Sequence, residues 1–404
     1  MRTRYGSSPW VSGFPDARRP AWPRVRGDLV TDVVIVGGGM TGCATAHALA
    51  HAGVRTLLVE AERIGQGSAG RGAGLLLPDP GPAFRDVAGL HGLRAARTMF
   101  ESWRRAALDA AALLRRMKIT CQLEPCAGLT VAAPEGERGL RREFDAQHGA
   151  GLDVSWLGAA QIRKASGLES GTGVRTHGAF TLDPYRACLG LAAGAVRQGG
   201  TIAERTRVQR IRARTRDVEV VVDGGTVRAA KVIVATGIAT PEIKPLRRHF
   251  KVREHYLVLT EPVAAAVRRQ ILPARLTLAD TRVPPHRIRW TPDDRLVVAG
   301  ADQDETPARE RAAVLTQRTG QLMYELLTMY PAISGLRPEL GWEASYGETA
   351  DGLMYIGPHR NYPRHLFALG GGGSLTGSFL AARILTRAVQ EQPQKGDDVF
   401  GWTR

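Results

Sequence analysis

Lysine is scarce in this chain, although basic residues dominate its charge. Only six of the 55 basic residues are lysine, and the formal net charge is +16. The arginines are scattered through the predicted helices and strands, without the basic blocks and interleaved aromatics of nucleic-acid-binding surfaces. We therefore expect no nucleic-acid partner, although the positive field favours an anionic substrate or partner.

Cysteine and long hydrophobic runs are also scarce. The four cysteines, Cys43, Cys121, Cys126 and Cys188, have no metal-ligand spacing and no accompanying histidine cluster, so no metal site is predicted. The charged first ten residues precede no apolar segment, which predicts no secretory signal and a cytoplasmic protein with reduced thiols. The most apolar stretch, residues 33–49, is interrupted by glycines, so we expect no membrane span.

A dinucleotide-binding fingerprint is the strongest positive signal. An apolar strand at residues 32–36 runs into a glycine turn, a helix is predicted over 41–52, and a second strand at 56–59 ends at Glu60. In such a βαβ unit the glycines admit the pyrophosphate, and the helix N-terminus holds it. The acid can bind an adenosine ribose and argues against a 2′-phosphate, so NADP is disfavoured while FAD and NAD remain. The contacts predicted in this unit are Gly37, Gly39, Met40, Thr41, Gly42, Glu60 and Ala61.

The order of predicted elements indicates a chain that leaves the nucleotide-binding domain and returns to it. Its 404 residues suit two domains. The elements include one helix over 91–117, strands at 201–203, 208–213, 218–222, 226–229 and 231–237, and an α+β segment with an antiparallel sheet over 252–342. We predict a discontinuous nucleotide-binding domain at residues 24–85, 171–246 and 341–392, and a substrate domain at 86–170 and 247–340.

Several motifs together resemble one flavoprotein family. They are residues 36–42 with Glu60, the glycine-rich loop at 62–71, the helix start at 183–185, the strand end at 234–237, and residues 351–358 leading to the turn at Gly370. They resemble the FAD-dependent D-amino-acid oxidase and sarcosine oxidase superfamily, and their order and spacing match the branch of γ-glutamylputrescine oxidase and related bacterial amine oxidases. The resemblance covers nearly the whole chain. It implies an α/β Rossmann-like FAD-binding domain of the glutathione-reductase type.

The resemblance implies that FAD is the cofactor. The ribose would lie at Glu60, the adenine at the backbone of Val208, the diphosphate near residues 235–237, and the flavin along the loop at 68–72. The last helix would direct its N-terminus at the flavin, where charge accumulates on reduction. The further contacts implied are Ser68, Arg71, Gly72, Val208, Ala235, Thr236, Gly237, Gly371, Gly372, Gly373, Ser374, Leu375 and Thr376.

Two departures from the family pattern concern the flavin. Members of this branch often have an Asn-Gly pair in the last turn, where this chain has Ser374 and Leu375. Relatives with covalent flavin use a Cys in the C-terminal half or a His in the early loop, whereas every Cys here precedes residue 190 and Arg71 occupies the loop position. We therefore predict non-covalent FAD.

The resemblance also implies an activity. It is oxidation of the C–N bond of an amine or amino acid by hydride transfer to flavin N5, hydrolysis of the imine by water, and reoxidation by O₂ with release of H₂O₂. Catalytic candidates lie on strands of the substrate domain. They are His255 and Tyr256, of which only one can face the pocket, and His286 and Arg289, of which the arginine suits a substrate carboxylate. Trp342 and Tyr346 are candidate pocket walls.

Two alternatives remain open at this point. An NAD-linked oxidoreductase would need only the first βαβ unit, but it leaves the glycine turn at Gly370 unexplained. A flavin-binding protein without turnover is compatible with the departure at Ser374 and Leu375. The sequence predicts a small-molecule partner and neither the specific substrate nor the oligomeric state.

Overall fold

Two β-sheets with their surrounding helices form the core of the protein. The computed structural model describes residues 2–133, 135–169 and 171–404. In chain order, the strands are β1 (Arg4–Tyr5), β2 (Leu29–Val36), β3 (Thr56–Val59), β4 (Leu75–Leu76), β5 (Glu124–Val131), β6 (Val154–Leu157), β7 (Gly173–Thr181), β8 (Thr201–Ala203), β9 (Val208–Ala213), β10 (Val218–Val222), β11 (Gly225–Gly237), β12 (Lys251–Thr260), β13 (Leu276–Asp280), β14 (Arg287–Trp290), β15 (Leu296–Asp304), β16 (Pro338–Glu348), β17 (Tyr355–His359) and β18 (Tyr362–Leu369). The α-helices are α1 (Pro9–Ser12), α2 (Met40–His51), α3 (Phe84–His91), α4 (Leu93–Arg116), α5 (Glu137–Gly149), α6 (Ala159–Ser166), α7 (Pro184–Arg197), α8 (Ala265–Arg268), α9 (Arg311–Met329) and α10 (Leu375–Val389).

The smaller sheet carries the nucleotide-binding turn. Its strand order is β17-β18-β11-β2-β3-β8, with β10 and β9 added beside β11. Neighbours from β18 to β8 run parallel. Alternate residues of β2 face opposite sides: Val33 and Ile35 pack in the core that contains α2, α7 and α10, while Val34 and Val36 pack against β9 and β10. Burial on both faces explains the uninterrupted apolar run of this strand.

The larger sheet packs against the same core. Its order is β1-β16-β12-β15-β14-β13-β5-β7-β4, with β6 beside β7. One face, including Val258 and Ile288, packs on α9. The other face, including Leu257 and Trp342, joins the core that contains α2 and α10. This shared core holds β16 beside the ends of the parallel strands.

Most predicted elements occur with small changes of bounds. The strands β8, β9 and β10 have the predicted bounds. The helix predicted over 91–117 is α4, Leu93–Arg116; α3 precedes it, and the two helices meet at Gly92, whose φ of +82° ends a helix. The strands predicted at 226–229 and 231–237 are one strand, β11, because its first half pairs with β10 and most of its length pairs with β2.

Sheet membership differs from the predicted domain boundaries in three places. The strands β4 and β7 and most of β16 belong to the larger sheet, although they fall within the stretches predicted for nucleotide binding. Residue 170, the predicted end of one substrate-domain stretch, lies outside the described residues. The division at the stated boundaries stays a prediction.

Candidate functional site

A cavity of about 850 Å³ lies between the two sheets. Its walls are the carboxyl ends of β2, β3 and β11, the first residues of α2 and α10, the loop after β3, and the last residues of β16. Open parallel sheets bind their ligands at the carboxyl ends of the strands. The first glycine turn and the glycine turn after β18 therefore open onto one space.

Close backbone contacts shape the first glycine turn. Gly37 has a φ of +106°, and a Cβ there would lie 2.7 Å from the carbonyl oxygen of Ala235. A Cβ at Gly42 would lie 1.8 Å from the Gly37 carbonyl oxygen, so Gly42 packs beneath the turn. A Cβ at Gly39 would meet no atom within 4 Å, because Gly39 faces the cavity. No side chain of the described residues caps α2 after Gly39, which leaves a helix N-terminus open to an anion.

Glu60 is fixed at the end of β3 by two backbone hydrogen bonds. Its Oε2 accepts the N–H of Gly38 at 2.6 Å, and its Oε1 accepts the N–H of Glu62 at 2.8 Å. The carboxylate therefore lies at the cavity wall with free lone pairs. This geometry suits the hydroxyl groups of a ribose.

The second glycine turn leads into α10. Gly370, Gly372 and Gly373 all have positive φ, and Ser374 caps the helix by accepting the N–H of Gly377 at 3.2 Å. Serine is a strong N-cap residue, so the helix begins directly after the glycine turn without the Asn-Gly pair of the family. Two helix N-termini, those of α2 and α10, thus border the same cavity.

Most of the expected cofactor contacts line this cavity. Those that do are Gly37, Gly39, Met40, Thr41, Glu60, Ala61, Ser68, Arg71, Val208, Ala235, Thr236, Gly237, Gly371, Gly372, Gly373, Ser374 and Leu375. Gly42, Gly72 and Thr376 are not among the lining residues. Thr376 is buried and donates its hydroxyl to the carbonyl of Leu77 at 2.8 Å, away from the cavity. The contacts of the other residues to FAD stay a prediction.

The loop at residues 67–74, here called the cofactor loop, is held by side chains from outside it. Its residues 67–69 and 71 line the cavity. The carbonyls of residues 70–73 each accept one side-chain hydrogen bond. In order, the donors are Ser8 Oγ (2.5 Å), Trp342 Nε1 (2.7 Å), Trp10 Nε1 (2.9 Å) and Arg289 Nε (2.6 Å). We call these four donors the carbonyl clamp.

The structure does not support the predicted role of Arg289 as a carboxylate receptor, because its guanidinium donates to backbone carbonyls. Its guanidinium is fully buried, and it also donates to the carbonyls of Leu182 at 3.1 Å and Trp290 at 3.3 Å. The ring of Trp10 covers the guanidinium at 4.8 Å. Burial lowers the pKa of Arg289 to about 10. Backbone carbonyls and an aromatic ring therefore contact the guanidinium that the sequence suggested for a substrate carboxylate.

His286 also lies outside the cavity, which corrects its predicted role. It faces α9, where its Nδ1 lies 2.7 Å from Asp280 and its Nε2 lies 2.6 Å from Glu325. Burial lowers the pKa of His286, but the two carboxylates outweigh it and leave the pKa above its usual value. With both ring nitrogens engaged, this histidine ties the larger sheet to α9.

Tyr256 lies on the same face as His286, and it is the member of the His255–Tyr256 pair that turns away from the cavity. Its hydroxyl donates to the buried carboxylate of Glu254 at 2.8 Å and lies 3.2 Å from the hydroxyl of Thr306. Burial raises the pKa of Tyr256 to about 12. The alternation along β12 turns Tyr256 toward α9 and its neighbour His255 to the other face.

His255 is linked to the cavity wall through Asp302, a carboxylate that the sequence analysis did not single out. Its Nδ1 lies 2.5 Å from Asp302 on β15, and the other oxygen of Asp302 accepts the hydroxyl of Tyr346 at 2.6 Å. Tyr346 lines the cavity, as predicted, while His255 itself does not. Burial raises the pKa of Asp302, but His255, Tyr346 and Arg253 lower it more, so the carboxylate stays ionised at neutral pH.

The arrangement fits an FAD molecule. Gly39 leaves space where a side chain would fill the cavity, two helix N-termini supply partial positive charge, and Glu60 supplies acceptors for a ribose. At the β16 end, Arg71 lies beside Glu343, with Nη1 3.3 Å from the Glu343 carbonyl oxygen. None of the described residues that line the cavity is Cys or His.

The described part of the chain offers neither a metal-binding cluster nor a membrane-spanning helix. Within residues 2–133, 135–169 and 171–404, no group of three or more His, Cys, Asp or Glu side chains is placed to hold a metal ion. No helix of the described chain combines the length and the apolar character that crossing a membrane requires. The four cysteines form no disulfide, and Cys43, Cys121 and Cys188 are buried.

Known proteins are similar to this chain in sequence and in fold. Residues 32–388 match the DAO family model, described as FAD dependent oxidoreductase. The chain is 24% identical to gamma-glutamylputrescine oxidoreductase of Escherichia coli over 380 residues, covering 91% of this chain and 86% of the relative. It is 26% identical to glycine oxidase of Bacillus licheniformis over 392 residues, covering 89% and 95%. The crystal structure of glycine oxidase from Geobacillus kaustophilus superimposes with a TM-score of 0.77 at 20% identity, covering 93% and 99%.

These similarities confirm the predicted fold, the FAD cofactor and the assignment as an oxidoreductase. They do not support the NAD-linked alternative, because the matched family uses FAD. The chain belongs to the DAO family of FAD-dependent oxidoreductases.

Proposed function

We propose that this chain oxidises the C–N bond of a small amine or amino acid, with FAD held non-covalently in the cavity. The observation that carries the proposal is the meeting of two helix N-termini at one cavity whose far wall is β16 of the larger sheet. The names of the relatives support the substrate class, since one acts on gamma-glutamylputrescine and another on glycine.

The residues that would hold FAD follow from the chemistry of the lining. Gly39 and the start of α2 suit the diphosphate, Glu60 suits the ribose, and Ser68 with Arg71 suit the flavin end. The start of α10 would place partial positive charge near the flavin. The absence of Cys and His from the described lining supports non-covalent binding.

When bound, FAD supplies the redox chemistry, because it accepts a hydride from the carbon that bears the amine, and water then hydrolyses the imine. The protein must bind the amine in its neutral form, hold that carbon in place and limit access of water. Glu343, Ser345 and Tyr346 line the cavity and are polar residues of β16 available to a substrate. Reoxidation by O₂ with release of H₂O₂ and a cytoplasmic location belong to the same proposal.

The cofactor is tested on the purified protein. We expect a yellow protein with a flavin absorption band, and we expect acid precipitation to release the flavin into the supernatant. A pellet that keeps its colour would contradict non-covalent binding. A colourless protein that remains unchanged on addition of FAD would overturn the whole proposal.

The reaction is tested by mixing the holoprotein anaerobically with a panel of small primary amines, N-methylated amines and amino acids. We expect at least one compound to bleach the flavin band, and we expect air to restore the band with formation of H₂O₂. Restoration only by an artificial electron acceptor would indicate a dehydrogenase. A flavin that no amine or amino acid bleaches would favour the alternative of a flavin-binding protein without turnover.

A further inference from the structure

We propose that residues 8–10 form a latch that positions the cofactor loop and thereby controls how tightly FAD is held. This inference uses the FAD dependence of the family and is independent of the substrate. Ser8 and Trp10 lie before residue 32, where the match to the family model begins. They nevertheless supply two of the four donors of the carbonyl clamp.

The cofactor loop depends on these outside donors. Four of its residues are glycine, which loses more conformational freedom on ordering than any other residue. The turn at Ser68–Arg71 has no side-chain N-cap among the described residues, and the carbonyls of residues 70–73 are paired with side chains of other segments. The order of the loop therefore comes from the clamp.

The hydroxyl group of Ser8 makes two hydrogen bonds, one within α1 and one to the cofactor loop. It is buried, accepts the N–H of Val11 at 3.3 Å as the N-cap of α1, and donates to the carbonyl of Gly70 at 2.5 Å. A Cβ at Gly70 would lie 3.1 Å from a methyl group of Val11, so the loop packs directly on α1. The short helix and the loop thus form one packed unit.

Trp10 joins the latch to the rest of the clamp. Its side chain is 5% exposed, its Nε1 donates to the carbonyl of Gly72, and its ring covers the guanidinium of Arg289 at 4.8 Å. Arg289 in turn donates to the carbonyl of Ala73. Replacing Trp10 by Phe removes the indole N–H and leaves the Gly72 carbonyl without this donor, whereas the phenyl ring still covers the guanidinium of Arg289.

The position of the loop matters for the cofactor because its other side is cavity wall. Arg71 lines the cavity within the stretch whose carbonyls the clamp holds, and Ser68 lines it two residues before that stretch. A loop that is ordered before FAD binds costs no ordering entropy at that moment. We therefore expect weaker FAD binding and faster FAD release when the latch bonds are removed.

The test compares Trp10→Phe, Ser8→Ala and the double variant with a matched control. Trp290→Phe is that control, because Trp290 also donates its indole N–H to a carbonyl, that of Leu272 at 2.5 Å, but in the core that faces α9. Apoprotein is titrated with FAD, and the dissociation rate is measured on the holoprotein. We expect a rise in Kd of about three- to tenfold for each single latch variant and about tenfold or more for the double variant, against less than about twofold for Trp290→Phe.

Two further measurements separate positioning from general destabilisation. The thermal unfolding temperature of the apoprotein should fall by a similar amount in Trp10→Phe and Trp290→Phe, since each variant loses one hydrogen bond from an indole N–H to a carbonyl. The visible band of bound flavin should change shape only in the latch variants. An unchanged FAD Kd and dissociation rate in the double variant would overturn the proposal, and so would an equal rise in Trp290→Phe. If Trp10→Phe does not fold, Ser8→Ala decides, because it removes only a hydroxyl.

Discussion

Tyr346 donates its hydroxyl proton to Asp302 at 2.6 Å, so a residue of the cavity wall is tied to a carboxylate of β15. The other oxygen of Asp302 lies 2.5 Å from Nδ1 of His255. Because the phenol proton is engaged, the Tyr346 oxygen has only lone pairs to offer to another partner. Such a group can accept an N–H of a neutral amine.

We expect Tyr346→Phe to raise the KM for the amine substrate by about three- to tenfold, because one acceptor is lost. Tyr256→Phe is the matched control, since it removes the same kind of bond, to Glu254, on the face that packs on α9. The KM values of the wild type and both variants are measured by steady-state kinetics at several pH values. Burial and Asp302 raise the pKa of Tyr346 above its usual value, so the effect should not vary near neutral pH. An equal change in Tyr256→Phe would contradict a role at the cavity.

Arg289 leads to a second prediction, which concerns substrate carboxylates. We expect Arg289→Met to lower the free energy of unfolding by about 2–4 kcal/mol, because it leaves buried carbonyls of Ala73 and Leu182 unpaired. We expect it to leave the ratio of kcat/KM between an amino acid and the corresponding decarboxylated amine unchanged. Urea unfolding and paired kinetics measure the two quantities. A tenfold or larger fall of that ratio would show that Arg289 does bind the substrate carboxylate.

His286 leads to a prediction about stability and pH. Its pKa in the folded protein lies above the ordinary value of 6.5, because Asp280 and Glu325 outweigh the opposing effect of burial. A raised pKa means that the stabilisation is fully present below about pH 6.5 and is lost as the pH rises through the pKa of the folded state. We expect the difference in unfolding free energy between the wild type and His286→Gln to shrink as the pH rises above 6.5. A difference that grows with pH would contradict this assignment.

The cofactor side of the site could be predicted from the sequence because its signals are local. Gly37, Gly39 and Glu60 belong to one βαβ unit, and the glycines near Gly371 directly precede α10, so spacing along the chain determines their place in space. The parallel strands could be predicted for a related reason, since burial on both faces produces continuous apolar runs.

The substrate side could not be predicted because strand register and sheet face decide it. His255 and Tyr256 are neighbours, yet one meets Asp302 and the other meets Glu254. The pairing of His255 with Asp302 spans 47 positions and depends on a register shift between β12 and β15. Nothing near Ser8 or Trp10 forms a motif, so their contacts to the cofactor loop appear only in the folded chain.

A last prediction concerns Arg404, which holds the segment before β17. Its guanidinium binds Asp351 through two bonds of 2.7 and 3.1 Å, and it donates to the carbonyl of Met354, a residue of the cavity wall. We expect Arg404→Met to lower the free energy of unfolding at pH 7 by about 2–3 kcal/mol, because the buried carboxylate loses its charged partner. Arg97→Met, which breaks an exposed pair with Glu101, should cost less than about 0.5 kcal/mol.

The pH dependence makes the Arg404 prediction specific. Burial raises the pKa of Asp351, but Arg404 outweighs it and lowers the pKa to about 2. A lowered pKa means that the stabilisation is present above the ordinary value of 3.8 and is lost as the pH falls through the pKa of the folded state. Urea unfolding at a series of acidic pH values should therefore show the wild type approaching Arg404→Met below about pH 4. If the difference between the two proteins were the same at all pH values, Arg404 would stabilise the segment through its packing on Tyr355, whose ring centre lies 3.9 Å away, and not through Asp351.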